Sequence, residues 1–134
     1  MDWRKASQIA KSAFVLVISA VVLIAQEKGF IEKGRRLYIR HCAACHGSDG
    51  TGNGPVATSL KVPPSDLTQL QKEGEAFPIY RVMTVIEGEK VVPAHGSREM
   101  PIWGTIFRRA RGEALMRSDI YALARYIEAI QAKR

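Results

Sequence analysis

Two cysteines and a histidine stand together at Cys42-Ala43-Ala44-Cys45-His46, directly ahead of a glycine-rich run over residues 47–55. Thiols and an imidazole at this spacing do three kinds of chemistry: thiol–disulfide exchange, metal binding, and covalent attachment of a haem. A redox dithiol belongs in a βαβ setting, and no alternation of strands and helices surrounds the pair. A closed zinc site needs four ligands, yet the chain has only these two cysteines. His41 and His95 could complete such a set, but adjacent residues such as His41 and Cys42 close poorly around one tetrahedral ion. Covalent haem makes demands that the motif meets. Two thiols add across the porphyrin vinyl groups as thioethers, and the histidine after the second cysteine is left beneath the iron. On a helical turn, positions i and i+3 face the same way, so Cys42 and Cys45 meet one macrocycle edge while His46 points at its centre. The expected cofactor is therefore one haem c, held through Cys42 and Cys45. The glycines are no phosphate cradle, because the segment before Cys42 reads as a helix and not as a strand.

The elements that must position this motif are helical. Phe30, Ile31, Gly34, Leu37 and Tyr38 recur at spacings of three and four, which predicts a helix over residues 30–41 that runs straight into Cys42. Gly34 lies on the buried stripe and lets another backbone come close. A second helix begins at Phe77-Pro78, buries Ile79, Val82, Met83 and Ile86, and stops at Gly88. A third is expected from an N-cap at Ser118-Asp119, with Ile120, Leu123, Ala124, Ile127 and Ile130 on one face. Glycine- and proline-rich segments over residues 47–66 and 88–104 join them. No series of strands is apparent, so the fold class is all-α with long loops.

The chain length of 134 residues suits one domain behind a distinct N-terminal segment. Arg4, Lys5 and Lys11 precede residues 13–25 (AFVLVISAVVLIA), which carry no charge. A basic stretch followed by an apolar one is the pattern of an export signal. Thirteen residues rise only about 20 Å as a helix, short of the roughly 30 Å hydrocarbon core. Leu23-Ile24-Ala25 is a poor cleavage site because Leu23 is large, so retention as a membrane anchor stays open. The expected organisation is residues 1–25 as signal peptide or uncleaved anchor and 26–134 as the functional domain, in the periplasm or another extracytoplasmic space.

The formal net charge is +7; the leader holds +2 of it and the remaining part +5. Such an excess can steer an acidic partner or simply keep the protein soluble. Arg108, Arg109, Arg111 and Arg117 crowd one stretch, read as a solvated surface or as a docking patch. Nucleic acid is excluded as a partner, since no aromatic residues interleave with these arginines to make a stacking platform.

On these residues the chain resembles a class I c-type cytochrome. The resemblance is carried by the helix with Gly34 and Tyr38 ending in CAACHG, the glycine turn closing at Gly52-Asn53-Gly54-Pro55, Met100-Pro101-Ile102-Trp103-Gly104, and a last helix with Tyr126-Ile127. It implies a helical shell around one haem, with the first and last helices crossing at Gly34 beside Tyr126. It implies His46 and a methionine as axial ligands. Of the candidates, Met83 lies on a core stripe and Met116 stands among arginines as packing or surface. Met100 sits in a loop restrained by Pro101, which makes it the expected ligand. His95 is the rival, and bis-histidine ligation would lower the potential; otherwise His95 and His41 are ordinary loop histidines. The resemblance further implies that the Pro55 carbonyl accepts a hydrogen bond from His46, that Leu60, Leu67 and Ile79 form the haem wall, and that Trp103 and Arg98 flank the methionine loop and reach the propionates.

Two protein axial ligands leave no open place for substrate, so one-electron transfer is the expected chemistry. The chain then reads as a carrier between redox proteins of a respiratory or dehydrogenase chain, with acidic docking surfaces on its partners, rather than as an enzyme. A fixed cytochrome subunit of a membrane-bound oxidoreductase complex is the alternative, and a haem enzyme or gas sensor with a displaceable distal ligand a further one.

Overall fold

A computed structural model describes residues 3–88 and 100–132; His95 and Arg98 lie outside the described residues. Among these, every regular element is helical. The first, α1, runs unbroken from Trp3 to His41, 39 residues or about 58 Å at 1.5 Å per residue. It joins the apolar stretch to the motif-bearing helix with no turn between them. Residues 14–25 are exposed on every side, and Phe14–His41 contains a stretch long and apolar enough to cross a membrane by length and composition. Beyond that stretch α1 buries Gly34 and Tyr38, in the pattern its three-and-four spacing demands.

After the motif come a single helical turn, α2 (Ala43–His46), and two short 3-10 turns at Ala57–Ser59 and Leu67–Gln69. Helix α3 (Ile79–Glu87) buries Val82 and Ile86 and ends at Gly88, whose left-handed φ of 85° lets its N–H reach the carbonyls of Thr84 and Val85. Helix α4 (Trp103–Arg111) has no counterpart in the sequence reading, which assigned its first residues to a loop. Its buried side is only Gly104 and Phe107, a stripe too narrow to stand out among arginines.

Helix α5 (Glu113–Ala129) begins five residues before the expected Ser118-Asp119 cap. Asp119 does not cap anything. It is fully buried inside α5, with its carboxylate 2.7 Å from the Lys33 ammonium on α1 and 2.9 Å from the Arg111 guanidinium on α4. An aspartate after a serine resembles a cap locally, whereas here the carboxylate joins three helices.

Helices α1 and α5 cross at Gly34 as expected. A Cβ placed there would stand 1.9 Å from the Ala122 carbonyl oxygen and 2.8 Å from the Tyr126 Cβ. Around the crossing, Phe30 meets Tyr121 edge-on at 5.2 Å and Tyr38 meets Tyr126 at 5.1 Å. Tyr38, Val82, Ile86, Phe107, Met116, Ile120, Leu123 and Ile127 form one core. Met116 is fully buried there, so it is core packing and not surface.

A candidate haem cleft

The site is built on the end of α1. Cys42 donates its N–H to the Tyr38 carbonyl at 2.8 Å, and its own carbonyl accepts from Cys45 and His46 at 3.1 and 2.9 Å. One turn of helix therefore places both thiols and the imidazole along a single cleft. So short a helix leaves its carbonyls without partners of its own. The glycine run supplies them: Gly47, Val56, Gly54 and Gly52 donate to Ala43, Ala44, Cys45 and His46 at 2.9, 2.9, 3.1 and 2.8 Å. Gly54 has to be glycine, because a Cβ there would lie 2.4 to 2.7 Å from three of those carbonyl oxygens. Tyr38, buried in the core, donates its hydroxyl to the Gly47 carbonyl at 2.7 Å and ties the turn to α1.

The carbonyl that meets His46 Nδ1 is that of Ser65, at 3.1 Å, where the resemblance implied Pro55. A carbonyl only accepts, so Nδ1 carries the hydrogen of that bond, the tautomer in which Nε2 is the nitrogen able to ligate a metal. The chain returns to His46 ten residues after Pro55, where Leu67 donates to the Gly50 carbonyl at 2.7 Å and Gly52 packs on Pro64. The sequence signal for this return was Pro63-Pro64, a pair restrained to extended backbone with no donors of its own.

The cleft holds a cavity of about 70 Å³ that opens to solvent. Leu60, Val62, Pro63 and Pro64 form one side; Met100, Pro101 and Trp103 contribute another. Met83 packs on the core and Met116 within it, so Met100 is the methionine that the described residues bring to the cleft. Leu60 and Trp103 are among the residues lining it. Leu67 and Ile79 do not; they pack against the core. His41 is also corrected, being the last residue of α1 and part of the cleft, with its ring 5.1 Å from Trp103 and 5.3 Å from Phe107. Burial, then the charge of Arg40, lowers its pKa and holds the ring neutral. Trp103 is fixed by these rings, stacking on Phe107 at 5.6 Å.

Both thiols are free, and burial followed by the neighbouring Cys45 pushes Cys42 up to about 12. That is the reverse of a dithiol oxidoreductase, which needs a stabilised thiolate. No group of three metal-ligating side chains of the zinc type occurs among the described residues. Three arginines of the stretch pair with the chain's own acids: Arg108 and Arg117 share Glu113 at 2.7 and 3.0 Å, and Arg111 meets Asp119.

Two cysteine thiols and a histidine along one largely apolar cleft, on a chain whose described elements are all helical, fit a covalently bound porphyrin, and they define a helical haem protein. The family model for cytochrome c matches residues 31–131, and the chain belongs to that family. It is accordingly a haem-binding electron-transfer protein, carrying haem c through Cys42 and Cys45. Searches of curated proteins and of solved structures return no significant match to the chain.

Proposed function

We propose that this cytochrome carries single electrons between protein partners of an extracytoplasmic respiratory or dehydrogenase chain, with His46 and Met100 as the axial ligands of its haem. The observation that carries the reading is that Met100 and His46 line the same cleft as Cys42 and Cys45. When bound, the haem supplies a one-electron couple, and a thioether ligand favours the reduced form. The chain's own part is to hold and tune it. Ser65 fixes the His46 ring through Nδ1, Trp103 and His41 close the wall beside Met100, and Leu60, Val62 and the prolines exclude water, which favours the lower-charged state. The Met100→Ala holoprotein is expected to lose the far-red sulfur-to-ferric-iron band and to shift to a lower potential. A band that survives the substitution refutes Met100 as ligand.

A fixed membrane attachment is favoured by one observation: the apolar residues 14–25 stand exposed, uncovered by any of the described residues. A basic stretch followed by an apolar one is the pattern of an export signal, which would leave the haem domain outside the membrane. Residues 1–25 then serve as an anchor, and the protein works as a bound carrier or as the cytochrome subunit of a membrane complex. Partners with acidic docking faces would meet the net positive charge, and their electron transfer should slow as salt rises.

A further inference from the structure

A tether and a post have different consequences for the partners a haem can reach, and the junction between the apolar segment and the domain decides between them. Glu27, Phe30 and Gly34 recur at i, i+3 and i+7 and so share one face of α1. Each is held by α5: Glu27 pairs with Arg125, Phe30 packs edge-on against Tyr121, and Gly34 rests on the Ala122 backbone. Lys33 adds its bonds to Asp119 and Ser118 at 2.7 and 2.8 Å. The clamp starts two residues after Ala25, within one helical turn of the last apolar residue, and α1 has no break there. No stretch of chain remains that could act as a hinge.

We infer that α1 is a rigid post, which holds the haem cleft at a fixed height and orientation above the bilayer and restricts its partner to a protein whose redox centre projects from the membrane surface. This rests on the anchor reading above. With the bilayer thinned locally to match the short apolar run, so that Ala25 marks the edge of the hydrocarbon, the 17 positions from Ala25 to Cys42 rise about 25 Å along the helix at 1.5 Å per residue. A tilt of up to 40° reduces this to about 20 Å above the hydrocarbon, and the headgroup layer occupies only the first 5–8 Å or so of that height. Because the cleft lies at the far end of the post, a reductant dissolved in the acyl chains does not approach it.

The test uses the full holoprotein in phosphatidylcholine bilayers, with a second chain carrying Gly-Gly-Ser-Gly-Gly inserted between Gln26 and Glu27. Such a linker spans about 12 Å and frees the domain to reorient. In oriented bilayers the unmodified chain should show linear dichroism of the haem absorption, and the insertion should abolish it. In vesicles, a quinol with a long isoprenoid tail should reduce the unmodified chain at least tenfold more slowly than the insertion variant, while ascorbate reduces both alike. Isotropic haem in the unmodified chain, or equal reduction of both chains by the quinol, overturns the post while leaving the anchor standing. Release of the unmodified chain by alkaline carbonate, or a native N-terminus at Gln26, overturns the anchor and the post with it.

Discussion

Gly34 and Gly29 lie on the same helix, and converting each to alanine is the same chemical change with opposite expected results. Both substitutions remove the entropic penalty of a helical glycine, a gain of about 1 kcal/mol. At Gly29 the new methyl meets nothing within 4 Å, so this gain should appear undiminished. At Gly34 the methyl would be 1.9 Å from the Ala122 carbonyl oxygen and 2.6 Å from its carbon. These are backbone atoms of a packed helix and cannot swing aside. Reaching ordinary contact at 3.4 Å requires α1 and α5 to separate by about 1.5 Å, which also loosens Tyr38 against Tyr126. Overpacking of this kind costs up to about 3 kcal/mol, so Gly34→Ala should lose about 2 kcal/mol net and roughly 8 °C in Tm. Guanidinium unfolding of the holoproteins, followed by far-ultraviolet circular dichroism and by the haem absorption, measures both variants against the parent. If Gly34→Ala is as stable as Gly29→Ala, the crossing is not set by backbone contact and the reasoning fails.

Gly54→Ala should impair haem incorporation more than overall helicity, because the added methyl strikes the carbonyls of Ala43, Ala44 and Cys45 that hold the α2 turn; an unchanged ratio of haem absorbance to protein would contradict this. Asp119→Asn keeps the shape but removes the charge between Lys33 and Arg111. Since both cations retain partial access to water, the expected loss is about 1–2 kcal/mol rather than the 3–5 kcal/mol of a fully buried pair, read from the denaturant midpoint. Burial lowers the His41 pKa, so the unfolded chain takes up the proton first and stability should fall as pH drops below about 6.5. His41→Gln should remove that part of the profile; an unaltered slope between pH 7 and 5.5 would exclude His41 as its source. A further decline is expected in the carboxylate range, because hydrogen bonds from Arg35, Thr51 and Arg117 hold Glu32, Asp49 and Glu113 below their ordinary values.

The attachment motif was legible in the chain itself because covalent haem chemistry is local. Two thiols and an imidazole must share one helical turn, and residues 42–46 are that turn. That a backbone crosses at Gly34 was legible for a related reason, since a glycine on an apolar stripe has few uses other than admitting a neighbour; that the neighbour is α5 was implied by the family resemblance. Periodicity likewise determined the buried faces of α1, α3 and α5, where the apolar spacing is dense. It could not find α4, whose buried face is two residues wide, nor the start of α5, where a buried ion pair imitates a cap. Above all, a sequence does not distinguish one backbone carbonyl from another. That the Ser65 carbonyl meets His46 depends on where the chain returns after the glycine run, and only the fold decides that. The same holds for the junction at Ala25. Its residues mark the end of an apolar segment, but the absence of a hinge there is a property of α5, whose Arg125 and Tyr121 come from almost a hundred residues away to hold Glu27 and Phe30.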